Sequence, residues 1–254
     1  MRDSGQVDLF GSGPSATPQT TPVKFVADWT FRLKLVAERE SLGLYMSGHP
    51  FDEYRHDGPF VSSGTIGSLK SARPAAKGDN PWSGGTIGSA AGLVTNLRKR
   101  GGRVTFDLDD GINQIEVTLF QEAYERFQHM LTAHAIVVVS GKLRFDDFID
   151  DWRLTVKDIY DIDKMIEQRA TNLVIRWQQA GNGELDADRL KRVLEPYRPG
   201  SCDISLFFRR DNAQARVRLG DEWSVRPSRE LREKLSEIVG HNGFRFIYKN
   251  AMSA

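Results

Sequence analysis

The sequence predicts a mixed β and α+β chain: a five-stranded β-barrel, then a small βαββαβ domain, preceded by a flexible segment and one helix. Three observations predict it. Between residues 86 and 165, apolar and polar residues alternate in short runs, the period of strands buried on one face. A single helical stretch falls between the third and fourth of five such runs. From 170 to 249 the pattern changes to strand, helix, two strands, helix, strand.

Composition bounds the function classes. The chain has 254 residues, 39% hydrophobic and 27% charged, which suits soluble globular material. Its formal net charge is only +1, so any contact with nucleic acid must rest on local placement of charge. The single cysteine, Cys202, excludes an intramolecular disulfide and zinc-type Cys/His spacing and fits a reducing cytoplasm. No apolar run approaches the ~20 residues that span a bilayer, so no membrane partner is expected. The start, MRDSGQVDLF, lacks the basic-then-apolar order of a secretion signal.

Residues 1–27 read as a flexible segment. GSGPSATPQTTP (11–22) has almost nothing to bury, and a short island ending in Leu9 and Phe10 precedes it. Residues 28–57 form a helical connector, with Asp28 as cap and Phe31, Leu35 and Leu42 near helical spacing. Gly48 and Pro50 punctuate its end. Residues 58–85, rich in Gly, Ser, Pro and Ala, are expected to be mostly loop.

The barrel occupies 86–165. Thr86–Leu97 is its first strand. Val104, Phe106 and Leu108 alternate, as do Ile115, Val117 and Leu119, and Asp109-Asp110-Gly111 between them signals a hairpin. A helix at Gln121–Leu131 carries Tyr124, Phe127 and Leu131 on one face; strands at Ile136–Phe145 and Trp152–Tyr160 follow. This order is that of an OB-fold barrel.

The second domain, 170–249, starts with a strand at Leu173–Trp177 and a helix at Asp186–Glu195 that Pro196 stops. Ile204, Leu206 and Phe208 alternate, Val217 and Leu219 follow an Asp211-Asn212 turn, and Ser228 caps a helix that Gly240 closes. Phe244–Tyr248 is the last strand. The layout predicted is ferredoxin-like.

Several groups are candidates for function. Arg98, Lys99, Arg100 and Arg103 crowd the loop between the first two barrel strands, which in an OB fold borders the binding groove; cations there can track phosphates. The competing reading is a solvated turn. Phe106, Phe120, Phe145, Phe148 and Trp152 are the barrel-region aromatics that could stack on a base; Phe145 and Phe148 flank the turn between the last two strands and are the better candidates, whereas Phe106 keeps register with Val104 and Leu108 and belongs to the core. Asp109-Asp110, Asp146-Asp147 and Asp150-Asp151 could hold a metal, but each sits at a turn where Asp is favoured for local hydrogen bonding. His49 is expected to be structural and Cys202 inert. No catalytic residue, metal site or cofactor is predicted.

Three stretches together resemble the alpha subunits of bacterial DNA polymerase III. ERESLGLYMSGHPFDEY (38–54) is similar to the segment ahead of that family's OB domain. GLVTNLRKRGGRVTFDLDDGINQIEVTLF and VVVSGKLRFDDF (92–120 and 138–148) are similar to the OB domain itself. LEPYRPGSCDISLFF and RVRLGDEWSVRPSREL (194–208 and 216–231) are similar to the extreme C-terminal domain. The resemblance implies a part of a longer polypeptide, a fragment or the product of a split gene, without the polymerase active site and non-catalytic by itself. It implies a single-stranded DNA template on the barrel. It implies a sliding clamp (the beta subunit) bound through Gln6, Leu9 and Phe10 of QVDLF, and the tau subunit of the clamp loader bound near Trp223 and Phe246, for which a place in the core is the competing reading. The rest of the polymerase III core is the remaining implied partner. The alternative is an RNA-binding OB protein akin to synthetase anticodon-binding domains, which would prefer tRNA and leaves QVDLF and the second domain unexplained.

Overall fold

A computed structural model describes residues 29–71, 85–147, 150–178, 187–210, 213–240 and 242–249. Helix α1 (Phe31–Leu42) begins at Thr30, whose hydroxyl accepts from the Leu33 amide at 3.3 Å. The predicted cap, Asp28, lies outside the described residues, as does QVDLF. Leu35 is buried as expected, but Leu42 is exposed along with Trp29, Leu33 and Val36. His49 has the structural role expected of it: its Nδ1 accepts from the Phe51 amide and caps the 3-10 turn Pro50–Tyr54.

The segment expected to be mostly loop carries two short helices, α2 (Gly58–Val61) and α3 (Ile66–Ser71). Composition misled here because these helices are held by tertiary contacts rather than by propensity. Ile66 is fully buried against the barrel, and its amide donates to Asp110 at 3.1 Å.

The barrel closes in the order β1-β2-β3-β5-β4, with strands β1 (Thr86–Arg100), β2 (Arg103–Asp109), β3 (Gln114–Phe120), β4 (Ile136–Asp146) and β5 (Asp151–Asp161). The long first strand serves both sheets: Thr86–Leu93 pairs with β4 and Leu93–Arg100 with β2. Closure comes from three parallel pairs, Glu116 with Arg153 through Thr118 with Thr155. The predicted alternation holds: Val104, Phe106, Leu108, Ile115, Val117 and Leu119 all point inward. Each such burial contributes roughly 1.5–3 kcal/mol. Gly141 stands where β4 and β5 slip register, and a Cβ there would meet the Thr155 carbonyl oxygen at 2.0 Å, so only glycine allows the strands to approach. Helix α4 (Gln121–Phe127) is shorter than expected; Leu131 is buried beyond its end.

Helix α5 (Ile162–Arg169), capped by Asp161, leads out of the barrel. The second unit contains β6 (Ala170–Gln178), α6 (Ala187–Leu194), β7 (Asp203–Arg210), β8 (Ala213–Arg218), α7 (Arg229–Val239) and β9 (Phe244–Tyr248). The βαββαβ order is as predicted. The strand order, β8-β7-β6-β9, is not the split one of a ferredoxin-like sheet: β6 and β7, joined through α6, pair directly and in parallel. Sequence gives the succession of elements but not which strands neighbour each other.

One buried cluster runs from the connector (Phe51, Tyr54, Val61) through the barrel wall (Val138) and α5 to the second sheet and its helices. At its centre Asp57 takes a charged hydrogen bond from Arg232 of α7 and one from the Tyr248 hydroxyl at 2.7 Å. Arg232 also donates to the Glu53 carbonyl at 3.2 Å and lies over the rings of Tyr54 and Phe246. Burial alone would raise the Asp57 carboxyl, but the charge of Arg232 and the surrounding hydrogen bonds hold it below the usual range.

Candidate nucleic-acid interface

The β1–β2 hairpin turns through Gly101 and Gly102, both with positive φ (53° and 76°), as a two-residue turn of primed type requires. Register decides where its cations go, because directly opposed residues share a face. Arg98 pairs with Thr105 and Arg100 with Arg103, all on the outward side, while Lys99 is opposite the inward-pointing Val104. Lys99 accordingly folds over the barrel's end, its ammonium 4.0 Å from the Tyr124 ring centroid. Arg98, Arg100 and Arg103 remain as an outward trio. All four cations are exposed, and among the described residues none makes an ion pair with an acid.

Phe120 completes this group. It pairs with Arg103 across β2 and β3, is 55% exposed, and carries the Arg103 guanidinium 5.7 Å from its ring centroid. The sequence offers it among the barrel aromatics that could stack on a base but does not single it out. The signal was present: Leu119 points inward, so its neighbour must point outward.

The other end of the same face is electrically quiet. Arg153 is held between Glu116 and Asp146, the latter at 2.7 Å, and Asn96 donates to Asp107 at 2.9 Å. Because Glu116 lies opposite Arg153 in parallel register, the β4–β5 turn sits at the Gln114 end of the face. It is separated from the basic hairpin by six residues of strand, roughly 20 Å.

Phe145 is at that far end, 37% exposed, but follows the inward alternation of Leu143 and packs edge-on against Trp152 at 5.7 Å. It is thus not on the face of Phe120. Phe148 lies outside the described residues. Asp109 and Asp110 have the turn hydrogen bonds expected of them, whereas Asp151 is engaged at long range by Lys70 of α3. Asp109 accepts from the Gly111 amide at 2.7 Å, Asp110 from those of Ile112 and Asn113, and Asp151 takes Lys70 at 2.7 Å. Among the described residues no group of His, Cys, Asp and Glu could hold a metal ion. No helix among them is long and apolar enough to cross a membrane.

In the second unit, Trp223 is half-buried in a 3-10 turn with the Arg198 guanidinium 4.2 Å above its ring. Phe246 is a different case: at 1% exposure it is core, since β9 alternation turns it toward α7, and it has no surface to offer a partner. Cys202 is fully buried, and burial together with the neighbouring Asp203 pushes its thiol up to about 12, consistent with an inert cysteine.

A closed five-stranded barrel with a basic first hairpin defines the class: residues 89–162 match the OB-fold nucleic acid binding domain. The particular family follows from the rest of the chain. Residues 189–240 match the C-terminal domain of DNA polymerase III subunit alpha. The DNA polymerase III subunit alpha of Vibrio cholerae is 34% identical over 94% of this chain, and that of Escherichia coli K12 33% identical over 93%. The chain corresponds to the C-terminal region of that family and spans about 20% of the length of those relatives. Among solved structures, asparaginyl-tRNA synthetase from Pyrococcus horikoshii is similar over 37% of this chain and 21% of that one, at 16% identity and a TM-score of 0.29, which is too slight to argue from.

Proposed function

We propose that this chain is a non-catalytic, DNA-holding part of a replicative polymerase, with single-stranded template lying on the outward face of β2 and β3. One observation carries the reading: three arginines without acidic partners and an exposed phenylalanine share the rim of an OB barrel. Cations beside a stacking surface suit single strands, whose phosphates and bases they engage together. Loading a polyanion onto that rim releases counterions, so affinity must fall with salt. Titration of labelled oligothymidylate at several salt concentrations tests this. Replacing Arg98, Arg100 and Arg103 with alanine is expected to reduce the salt slope by about 2, at ~0.7 per phosphate contact on a single strand. An unchanged slope and affinity would sink the proposal.

Two further arms rest on the resemblance. The chain would hold the sliding clamp through Gln6, Leu9 and Phe10 and tau through the surface around Trp223, alongside the rest of the polymerase III core. Burying Leu9 and Phe10 in a clamp pocket offers roughly 3–6 kcal/mol before ordering costs. Pull-downs check both docking arms: Gln6→Ala with Phe10→Ala should lose clamp, and Trp223→Ala should lose tau. Equal retention by wild type and variant removes the corresponding arm.

A further inference from the structure

The second sheet has two faces of opposite character. One carries Leu173, Ile175, Ile204 and Phe246 and is covered by Leu231 and Leu235 of α7 and Leu190 and Leu194 of α6. On the other, register brings Arg176 of β6, Phe207 of β7 and Arg216 of β8 into one row. Arg245 of β9 stands beside Val174, two residues back along β6. Neighbouring strands lie ~4.8 Å apart, so the two arginines of the row flank Phe207 across roughly 10 Å.

The three arginines are exposed and Phe207 is half-buried. Arg218, on the same face, is taken up by Asp203 at 2.8 Å and Asp221 at 3.1 Å. Among the described residues no acid pairs with Arg176, Arg216 or Arg245, and none of the apolar residues of α6 or α7 packs on this side. The polar floor is settled: buried Ser205 accepts from Asn172 at 3.2 Å and from Arg216 at 3.3 Å.

We infer that this face is a second platform for single-stranded nucleic acid, distinct from the barrel rim. A base stacks on Phe207 while Arg176, Arg216 and Arg245 meet the phosphates on either side. An open four-stranded sheet with a central aromatic is a physical solution for holding unpaired bases. An acidic protein segment would satisfy the charge but finds no apolar pocket among Arg176, Phe207, Arg216 and Val174 to anchor side chains, and it leaves the aromatic without a use.

The test uses the full chain and labelled oligothymidylate, in the wild type and in a background with Arg98, Arg100 and Arg103 replaced by alanine. In that background, Arg176→Gln, Arg216→Gln and Arg245→Gln together are expected to lower the remaining affinity about tenfold or more and to flatten the salt slope by about 2. Phe207→Leu, which keeps apolar volume, should lower affinity several-fold and leave the slope alone. The inference is overturned if the triple variant binds as its parent does, or if the rim-substituted background binds no oligonucleotide at all. It is also overturned if the triple variant loses affinity for polyglutamate while keeping it for DNA. Loss on changing the sheet with none on changing the rim would support this platform and remove the barrel reading instead.

Discussion

Arg232 and Arg103 carry the same guanidinium in opposite settings. Arg232 is 6% exposed, clamped by Asp57 and roofed by Tyr54 and Phe246. Arg103 stands in solvent beside Phe120 with no acid near it among the described residues. The interior has used up its charge in holding connector, barrel and second unit together. The rim has kept its charge unspent, which adds nothing to stability and leaves it available to a polyanion. A net charge of +1 conceals this division, because acids such as Glu116, Asp146 and Asp57 are engaged by other arginines, away from the rim.

The contrast breaks most sharply at Asp57. Asp57→Ala leaves Arg232 buried and unpaired and strips the Tyr248 hydroxyl of its acceptor, so unfolding free energy should fall by about 3–5 kcal/mol. Urea denaturation measures it, and a loss below about 1 kcal/mol would mean that the ion pair is not a structural centre. Acid sharpens the same point. The folded carboxyl lies below its free value of 3.8, so its contribution is complete above that value and disappears as pH falls through the lower folded one. The stability gap between wild type and Asp57→Asn is therefore expected to narrow below about pH 4. Burial shifts Asp163 the other way, but it is present in both proteins and cancels in the difference.

These two regions were not equally legible in the sequence. The barrel was, because period-two alternation is local: Val104, Phe106 and Leu108 announce one inward face without reference to anything distant. The basic hairpin was too, because it is contiguous. The Asp57–Arg232–Tyr248 centre was not, since its members are 175 and 191 residues apart and nothing in their neighbourhoods marks them as partners. The same limit hid the strand order of the second sheet, and with it the row of Arg176, Phe207 and Arg216. Whether Phe246 is core or interface stayed open in the sequence for the same reason: its alternation is visible there, but the helix that covers it is not. Phe120 lies between these cases: alternation turns it outward of Leu119, but only its register with Arg103 shows which cations share its face.

Phe120 also supplies the smallest and most specific of these tests. Its exposed ring contributes little to folding, so Phe120→Ala should leave stability within about 0.5 kcal/mol of wild type, well apart from the loss at Asp57. Stacking of one base on an aromatic is worth ~1–3 kcal/mol, so the same variant should weaken oligothymidylate binding by roughly five- to a hundredfold. Its salt slope should not change, since no cation has been removed. Phe145→Ala provides the opposite pattern. That ring closes the barrel's end against Trp152, so its loss should register in unfolding more than in binding. If the two phenylalanines exchanged these signatures, the outward face of β2 and β3 would not be where the strand lies, and the single strand would have to run past the β4–β5 turn instead.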